Sequence, residues 1–199
     1  KFNYSQLVIS TGLTTDYSFV KELQQYAYGF SNLNDLLRMK DFITKINNSS
    51  KPKNPLVIFG AGPTGVELAC KVADLVNNRL EIYLVDKGIN ILSKSKSFNR
   101  EKAIDAISKR NIRVYLECYI KSVDKNLLEL SSTDDETNNL IRIDYFALLW
   151  TAGLKPSKSK FVDHFLNKNQ KIKVNAFMQM DEYQNIFFVG DITFFENAP

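Results

Sequence analysis

The sequence has few of the residues from which redox, metal and nucleophile sites are built. Its 199 residues include two cysteines, Cys70 and Cys118, and a single histidine, His164. Because the cysteines form no C-x-x-C pair, they are expected to be free structural thiols in a reducing compartment. One histidine cannot supply a site that needs several. No His-rich metal site is therefore predicted. A Ser/His/Asp or Cys/His site needs only one histidine, but His164 is interpreted as a surface loop residue rather than a proton donor.

Long apolar runs and concentrated charge are also lacking. No apolar run approaches the ~20 residues that a membrane-spanning helix needs. The longest, from Tyr145 to Leu154, is interpreted as a buried strand and its exit. The net charge of +4 comes with lysines that are scattered among polar segments, so a nucleic-acid partner is not expected. The chain starts at Lys1 without a signal peptide and is expected to be an excised segment.

Glycine is scarce too, but three of the eight glycines fall close together. Gly60, Gly62 and Gly65 follow the apolar run Leu56–Phe59 and lead into the mostly apolar segment 66–69. This order predicts a buried strand, a glycine turn and the start of a helix. The same arrangement binds the pyrophosphate of a dinucleotide in nucleotide-binding α/β domains.

Each residue of this turn has its own role in that interpretation. Gly60 allows the tight turn, Gly62 lets the backbone approach the pyrophosphate, and Gly65 lets the helix pack close to the strand. Pro63 fits the first helical turn, where a missing N–H costs nothing, and Thr64 follows it as a further predicted cofactor-binding residue. The free N–H groups and the positive end of the helix dipole attract phosphate. The alternative is a glycine-rich turn that binds no ligand.

A carboxylate stands where this interpretation requires one. Asp86 closes the apolar run Leu80–Val85, the second predicted strand, about 20 residues after Gly65. A carboxylate there accepts hydrogen bonds from ribose hydroxyls and repels a 2′-phosphate, so NADH is predicted rather than NADPH. The neighbouring Lys87 weakens this preference, and a simple surface charge is the alternative role for Asp86.

The order of apolar segments predicts a three-layer α/β fold. Periodic apolar residues predict a helix over 32–47, with Ser31 as its N-cap, and another over 99–111. Apolar runs predict parallel strands over 56–59, 80–85, 113–116 and 145–151, and a β-meander over 119–123, 127–130 and 140–143. Helices are expected on one face of this Rossmann-like sheet and the three-stranded meander on the other. Short strands over 7–10, 171–174 and 186–189 are expected beside it, and 13–30 shows no clear pattern.

Four motifs follow one another along nearly the whole chain. They are Leu7–Gly12, Gly60–Ala69, Trp150–Pro156 and Asn185–Asp191. In this order they resemble the motifs of the two-dinucleotide flavoprotein reductases, the pyridine nucleotide–disulfide oxidoreductase superfamily. The first resembles its A-T-G motif, the second its NADH fingerprint, the third the return towards the FAD domain, and the fourth its second FAD motif. Within the superfamily, the sequence is most similar to type II NADH dehydrogenases.

The resemblance implies roles for residues that spacing alone does not assign. It implies that Glu67 lies near the nicotinamide and flavin rings, whereas its plain alternative role is to stabilise the helix dipole. Thr151, Ala152 and Gly153 are implied to contact NADH, with a strand-end turn as the alternative.

Two further motifs are implied to contact FAD in the complete protein. These contacts involve Thr11 and Gly12 in the first motif, and Gly190 and Asp191 in the last. For the last motif the alternative is a strand-to-helix turn capped by Asp191.

The implied organisation has three parts. Residues 1–16 end the first half of an FAD domain, 17–153 form the NADH-binding domain, and 154–199 form part of the second FAD half. The family's first FAD fingerprint is missing from this sequence. The segment alone is therefore expected to bind NADH weakly, to hold no FAD and to be inactive.

The implied activity is transfer of hydride from NADH to FAD and of electrons onward to a quinone. Two alternatives remain open: a soluble NADH-dependent ferredoxin, disulfide or oxygen reductase, and an NAD-sensing module without turnover. The expected location is the cytoplasm, with a peripheral position at a membrane surface or a homodimer depending on sequence outside this chain.

Overall fold

A computed structural model describes residues 3–48, 53–132, 140–157, 160–166 and 171–195 of the chain. The chain divides into two compact units. The central unit is Thr15–Gly153, and the flanking unit combines Lys1–Thr14 with Leu154–Pro199.

The elements of the first half of the chain are β1 (Leu7–Ile9), β2 (Leu13–Thr15), α1 (Leu23–Tyr26), β3 (Ala27–Tyr28), α2 (Leu33–Asn48), β4 (Leu56–Phe59), α3 (Pro63–Leu75), β5 (Ile82–Val85) and α4 (Ser97–Ser108). Those of the second half are β6 (Ile112–Tyr115), β7 (Cys118–Val123), β8 (Leu127–Ser132), β9 (Leu140–Asp144), β10 (Ala147–Trp150), β11 (Leu154–Pro156), α5 (Lys160–Asp163), β12 (Ile172–Lys173), β13 (Gln179–Met180), β14 (Tyr183–Phe188) and β15 (Thr193–Phe194).

A five-stranded parallel sheet in the order β3-β10-β4-β5-β6 forms the middle of the central unit. Four of these strands agree with the predicted ones. The fifth, β3, was not predicted because two residues are too few to show an alternating pattern. The returning strand β10 lies beside β4, with Trp150 opposite Phe59. The segments that follow β4, β5 and β10 therefore meet at one edge of the sheet.

The predicted three layers are confirmed by the alternating faces of the sheet. Leu56 and Ile58 pack in the same core as residues of α2, α3 and α4. Val57 and Phe59, which alternate with them along β4, pack with residues of the meander. This alternation follows from the two-residue side-chain period of a strand. One short helix, α1, departs from the plan, because its Leu23 is buried in the core on the meander side.

The meander consists of the antiparallel strands β7, β8 and β9, as predicted. Leu128 and Leu130 of β8 are fully buried against the sheet. The loop that was predicted between the last two strands, 131–139, lies mostly outside the described residues. A register shift between Ile120 and Ser122 bends β7 along its pairing with β8.

Local details differ from the sequence prediction in two places. Helix α2 is capped by Asn32 rather than by Ser31. The Asn32 Oδ1 accepts the Asp35 N–H (3.1 Å), and the Asp35 carboxylate accepts the N–H of Ser31, the residue before the cap (3.1 Å). The segment after Gly153, for which the sequence predicts no helix or strand before residue 171, contains β11 and α5.

The flanking unit has its own core and a small sheet in the order β1-β14-β13. Its buried centre includes Ile9, Ile186 and the fully buried Phe188. Two short sheets pair β12 with β15 and β2 with β11. Among the described residues, no helix is long and apolar enough to cross a membrane.

Candidate dinucleotide site

The glycine turn joins β4 directly to α3 in the central unit. Gly60 has a φ of +112°, a backbone conformation that residues with a side chain rarely adopt. Its N–H donates to the Val85 carbonyl of β5 at 2.7 Å. A Cβ on Gly60 would lie 2.7 Å from Thr151 Oγ1 and 2.9 Å from Ala152 N. The fold itself therefore requires glycine at this position.

Gly65 allows the helix to approach the strand. A Cβ at this position would lie 1.7 Å from the carbonyl oxygen of Gly60. No rotation of a side chain relieves a contact with backbone, so α3 would have to move away from β4. The third glycine of the motif thus has a packing role, as predicted.

At Gly62, neither the backbone angles nor the described neighbours require a glycine. Its φ of −73° and ψ of −175° are extended backbone, which other residues adopt freely. Its chain neighbours aside, no described heavy atom lies within 4 Å of the position a Cβ would take. The missing side chain therefore keeps open a space directly before the first turn of α3.

This space has the properties of an anion site. Gly62 is the N-cap of α3, and Pro63 is the first helical residue, without an N–H to leave unsatisfied. Pro63 and Thr64 are exposed, and the first turn of α3 carries no acidic residue. The orphan N–H groups and the positive end of the helix dipole therefore make this region suited to a phosphate oxygen.

Asp86 lies at the end of β5, beside the turn, where its carboxylate is held by two backbone donors. The Ala61 N–H donates to Oδ2 at 2.6 Å, and the Gly88 N–H donates to Oδ1 at 2.7 Å. The carboxylate is half-buried, and each oxygen keeps a second lone pair for another donor. This bracing of the glycine turn was not predicted from the sequence. It fixes the carboxylate and leaves capacity for ribose hydroxyls.

The end of β10 completes the edge of the sheet. The Thr151 hydroxyl lies 3.0 Å from the carbonyl oxygens of both Phe59 and Gly60, and the Thr151 N–H donates to Phe59 O at 2.9 Å. Gly153 has a φ of +79°, and its carbonyl accepts the Asp16 N–H at 3.1 Å. The strand-end interpretation therefore explains Thr151 and Gly153 without a ligand. Contacts of these residues and of Ala152 with NADH stay predictions.

Glu67 is an exposed residue of α3, beyond its first turn. The helix-dipole effect falls off within the first turn, so it accounts for Glu67 only weakly. A role of Glu67 beside the reacting rings remains a prediction.

A cavity of about 350 Å³ opens on the meander side of the same edge. Its lining runs from Asp86 to Gly153 and includes the aromatic rings of Phe19, Phe59, Tyr119 and Trp150. The walls are mainly apolar, and the charged residues of the lining are Asp86 and Lys87. Sequence reasoning missed Phe19 because residues 13–30 show no periodic pattern that singles it out.

The flanking unit brings its predicted residues together at one sheet edge. Because β1 and β14 pair in parallel, with Ile9 opposite Phe188, Thr11-Gly12 and Gly190-Asp191 leave the sheet side by side. Gly12 and Gly190 have φ values of +62° and +90°, and a Cβ on either would meet no described atom within 4 Å. Asp191 lies in a turn, and residues 192–195 form no helix for it to cap.

The two cysteines are free thiols, as predicted. Burial raises the pKa of both the Cys70 and the Cys118 thiol, which keeps them protonated and unreactive near neutral pH. Among the described residues, no group of three or more His, Cys, Asp or Glu is placed to hold a metal ion.

Comparison with known proteins identifies relatives over the full chain. The family model of the pyridine nucleotide-disulphide oxidoreductases matches residues 1–199. The demethylphylloquinone reductase NdbB of Synechocystis is 30% identical over 191 residues, covering 94% of this chain and 46% of the relative. The type II NADH:quinone oxidoreductase Ndh of Mycobacterium tuberculosis is 22% identical over 222 residues, covering 98% of this chain and 47% of the relative.

Among solved structures, NDH2 of Plasmodium falciparum in complex with NADH superimposes with a TM-score of 0.82 at 24% identity. The match covers 98% of this chain and 45% of that one, and confirms the fold. The chain spans about half the length of the curated relatives it matches.

Proposed function

Because this chain belongs to the pyridine nucleotide-disulphide oxidoreductase family, we propose that its central unit binds NADH and presents it to FAD. The observation that carries the proposal is the open space at Gly62. Gly60 and Gly65 are required by the fold, whereas Gly62 meets no packing requirement, and its open position suits a ligand that approaches the backbone there. The start of α3 supplies donors for a pyrophosphate at that place.

Asp86 is the residue that is proposed to favour NADH over NADPH. Its carboxylate is already fixed by Ala61 and Gly88, so binding the ribose hydroxyls requires no reorientation. A 2′-phosphate would bring further negative charge against this carboxylate, and NADPH is therefore disfavoured. The exposed Lys87 next to it reduces this discrimination without removing it.

We assign the flanking unit to the FAD domain. Gly12 and Gly190 have the left-handed backbone and the open surroundings that suit close approach of a cofactor. The turns at Thr11 and Asp191 leave adjacent parallel strands at the same edge. When bound, FAD would accept hydride from NADH and release its electrons one or two at a time. Residues of this chain hold and orient the two ligands, and Glu67 is proposed to lie closest to the reacting rings.

A quinone is the proposed electron acceptor. The names of the two curated relatives, demethylphylloquinone reductase and type II NADH:quinone oxidoreductase, both point to quinone chemistry. Attachment to a membrane surface and a homodimer belong to the same proposal. Both are proposed to depend on sequence outside this chain.

This function is tested by measuring which electron donor and which electron acceptor the intact protein uses. The proposal expects bound flavin, oxidation of NADH in preference to NADPH, and turnover that depends on a water-soluble quinone. Turnover with ferredoxin, a disulfide or oxygen but not with quinone would show that the electron acceptor is not a quinone. Binding of NADH without flavin and without turnover would instead indicate a nucleotide-sensing module.

A further inference from the structure

We propose that a groove between α2 and α3 binds a free long-chain carboxylate, with its alkyl chain in the groove and its charged head on Lys40 and Lys71. The groove lies on the helix side of the sheet, whereas the cavity beside Asp86 lies on the meander side. The proposed carboxylate site is therefore separate from the dinucleotide site, and it does not depend on the proposed function.

The groove is a cavity of about 440 Å³ between two neighbouring helices of the central unit. Its base consists of side chains that belong to the buried core, Met39, Leu68 and Val72. Its rims carry Leu36 and Leu75, which are 52% and 44% exposed. A volume between roughly 300 and 1,000 Å³ and mainly apolar walls are typical of sites for small molecules.

The two helices are held side by side at their C-terminal ends. The Asn47 side-chain N–H donates to the Leu75 carbonyl at 3.2 Å, and the Arg79 guanidinium donates to the Asn47 carbonyl at 3.1 Å. Next to these bonds, the fully buried Ile46 of α2 packs in the same core as Val72 of α3. The groove is therefore already formed before a ligand arrives, which lowers the cost of binding.

The charges at the groove have one sign. Lys40 and Lys71 are exposed, and none of the described lining residues is acidic. Within the described part of the chain, no carboxylate forms an ion pair with either ammonium group. Asp74, which lies one turn beyond Lys71, instead gives both of its oxygens to Arg110. Two available ammonium groups beside an apolar surface complement an anionic head on an apolar chain.

The lining favours an alkyl chain over a peptide. Among the described lining residues, Thr44 is the remaining polar one, and its hydroxyl already donates to the Lys40 carbonyl at 2.9 Å. An extended peptide would bury backbone N–H and C=O groups without partners, which costs free energy. An alkyl chain has no such groups, and each methylene that leaves water strengthens binding.

Calorimetric titration of the intact protein with sodium laurate, below its micellar concentration, tests the proposal. Saturable binding of laurate is expected. Decanoate, whose chain is shorter, is expected to bind about tenfold more weakly, because less apolar surface leaves water. Dodecanol has the same chain without the charge and is expected to bind about threefold more weakly or worse, since the attraction to the lysines is lost.

Variants of the groove locate the bound laurate. Lys40→Gln and Lys71→Gln are each expected to weaken laurate binding about threefold and to leave dodecanol binding unchanged. Leu36→Glu is expected to abolish binding of both, because it places a charge at the apolar wall. Leu37→Glu is the matched control, since Leu37 is 51% exposed on the same helix and is not among the described lining residues. It is expected to bind laurate like the wild type.

Three results would overturn the proposal. The first is the absence of saturable laurate binding to the wild-type protein. The second is wild-type laurate affinity in both Leu36→Glu and the Lys40→Gln/Lys71→Gln double variant, which would place laurate elsewhere. The third is an equal loss of binding in Leu36→Glu and Leu37→Glu. The KM for NADH is expected to stay unchanged in all variants. Failure of the wild type to oxidise NADH would count against the proposed function alone.

Discussion

At the scale of residues, Gly60, Gly62 and Gly65 lack a side chain for three different reasons. Gly60 has a positive φ and is enclosed by Thr151 and Ala152. Gly65 lies against the backbone of Gly60. Gly62 has ordinary backbone angles and open surroundings. Within this short motif, the fold therefore requires Gly60 and Gly65, whereas Gly62 is left for the proposed ligand.

This separation predicts opposite effects of two substitutions. Gly62→Val is expected to lower the melting temperature only slightly, through a poorer N-cap, and to abolish NADH binding, because the side chain fills the space at the start of α3. Gly65→Ala is expected to lower stability by about 1–3 kcal/mol or more through overpacking. Thermal unfolding together with calorimetric titration of NADH measures both effects. A strongly destabilised Gly62→Val with residual binding would contradict this reading of Gly62.

Asp86 is the second residue with a testable function. Asp86→Asn is expected to weaken NADH binding about tenfold or more, since hydrogen bonds to a charged acceptor are replaced by weaker ones. The discrimination against NADPH is expected to fall at the same time. KM values for both nucleotides measure these changes.

Asp144→Asn, on an exposed carboxylate at the end of β9, is the matched control and is expected to change neither KM. Equal effects of the two substitutions would remove Asp86 from the site.

At the scale of elements, the site depends on how β4, β5 and β10 end. The register of the three parallel strands brings Gly60, Asp86 and Thr151 to one edge. The Thr151 hydroxyl and the Asp86 carboxylate each bond to the backbone of the turn. The turn is thereby fixed from both neighbouring strands.

The last turn of α3 is joined to the segment that follows α4 by an ion pair whose strength depends on pH. The Arg110 guanidinium contacts both Asp74 carboxylate oxygens, at 2.8 and 2.9 Å. This hydrogen bonding lowers the pKa of Asp74 below its usual value. A lowered pKa in the folded state stabilises the protein above the unfolded-state pKa, and the contribution is lost as pH falls through the folded-state pKa.

Asp74→Asn is therefore expected to lower the free energy of unfolding slightly at neutral pH, because exposed ion pairs contribute little. The difference from wild type is expected to close at pH values well below about 4. Urea unfolding across this range measures it, with Asp144→Asn as the control. A difference that persists at low pH would show that the ion pair is not its source.

Much of the element order could be predicted from the sequence. The long apolar runs of β4, β5 and β10, the alternating runs of the meander and the periodicity of α2 are strong patterns. The cap of α2 and the strand β3 could not be predicted. The choice between Ser31 and Asn32 depends on where the first turn closes, and the pairing of Ala27 and Tyr28 with β10 is a tertiary contact.

The same limit applies to the site. The glycine turn and Asp86 follow from local spacing, so the sequence predicted them. The cavity and Phe19 depend on contacts between distant segments, such as the bond between Asp16 and Trp150. Local pattern carries no information on such contacts.

At the scale of the whole molecule, the chain contains two units with different proposed ligands. The central unit carries the proposed NADH site, and the flanking unit carries turns proposed to contact FAD. The chain spans about half of its curated relatives, so the remaining FAD contacts and the acceptor site are proposed to lie in the other half. Electron transfer from NADH to the acceptor is therefore expected only of the intact protein.

The central claim is that NADH binds with its pyrophosphate at Gly62 and transfers hydride to a flavin from there. Anaerobic titration of the intact protein with NADH, followed by flavin absorbance, tests it most directly. The wild-type flavin is expected to bleach with about one equivalent of NADH. The Gly62→Val flavin is expected to resist NADH while still bleaching with dithionite. Equal bleaching of both proteins by NADH, or no bound flavin in the wild type, would contradict the account.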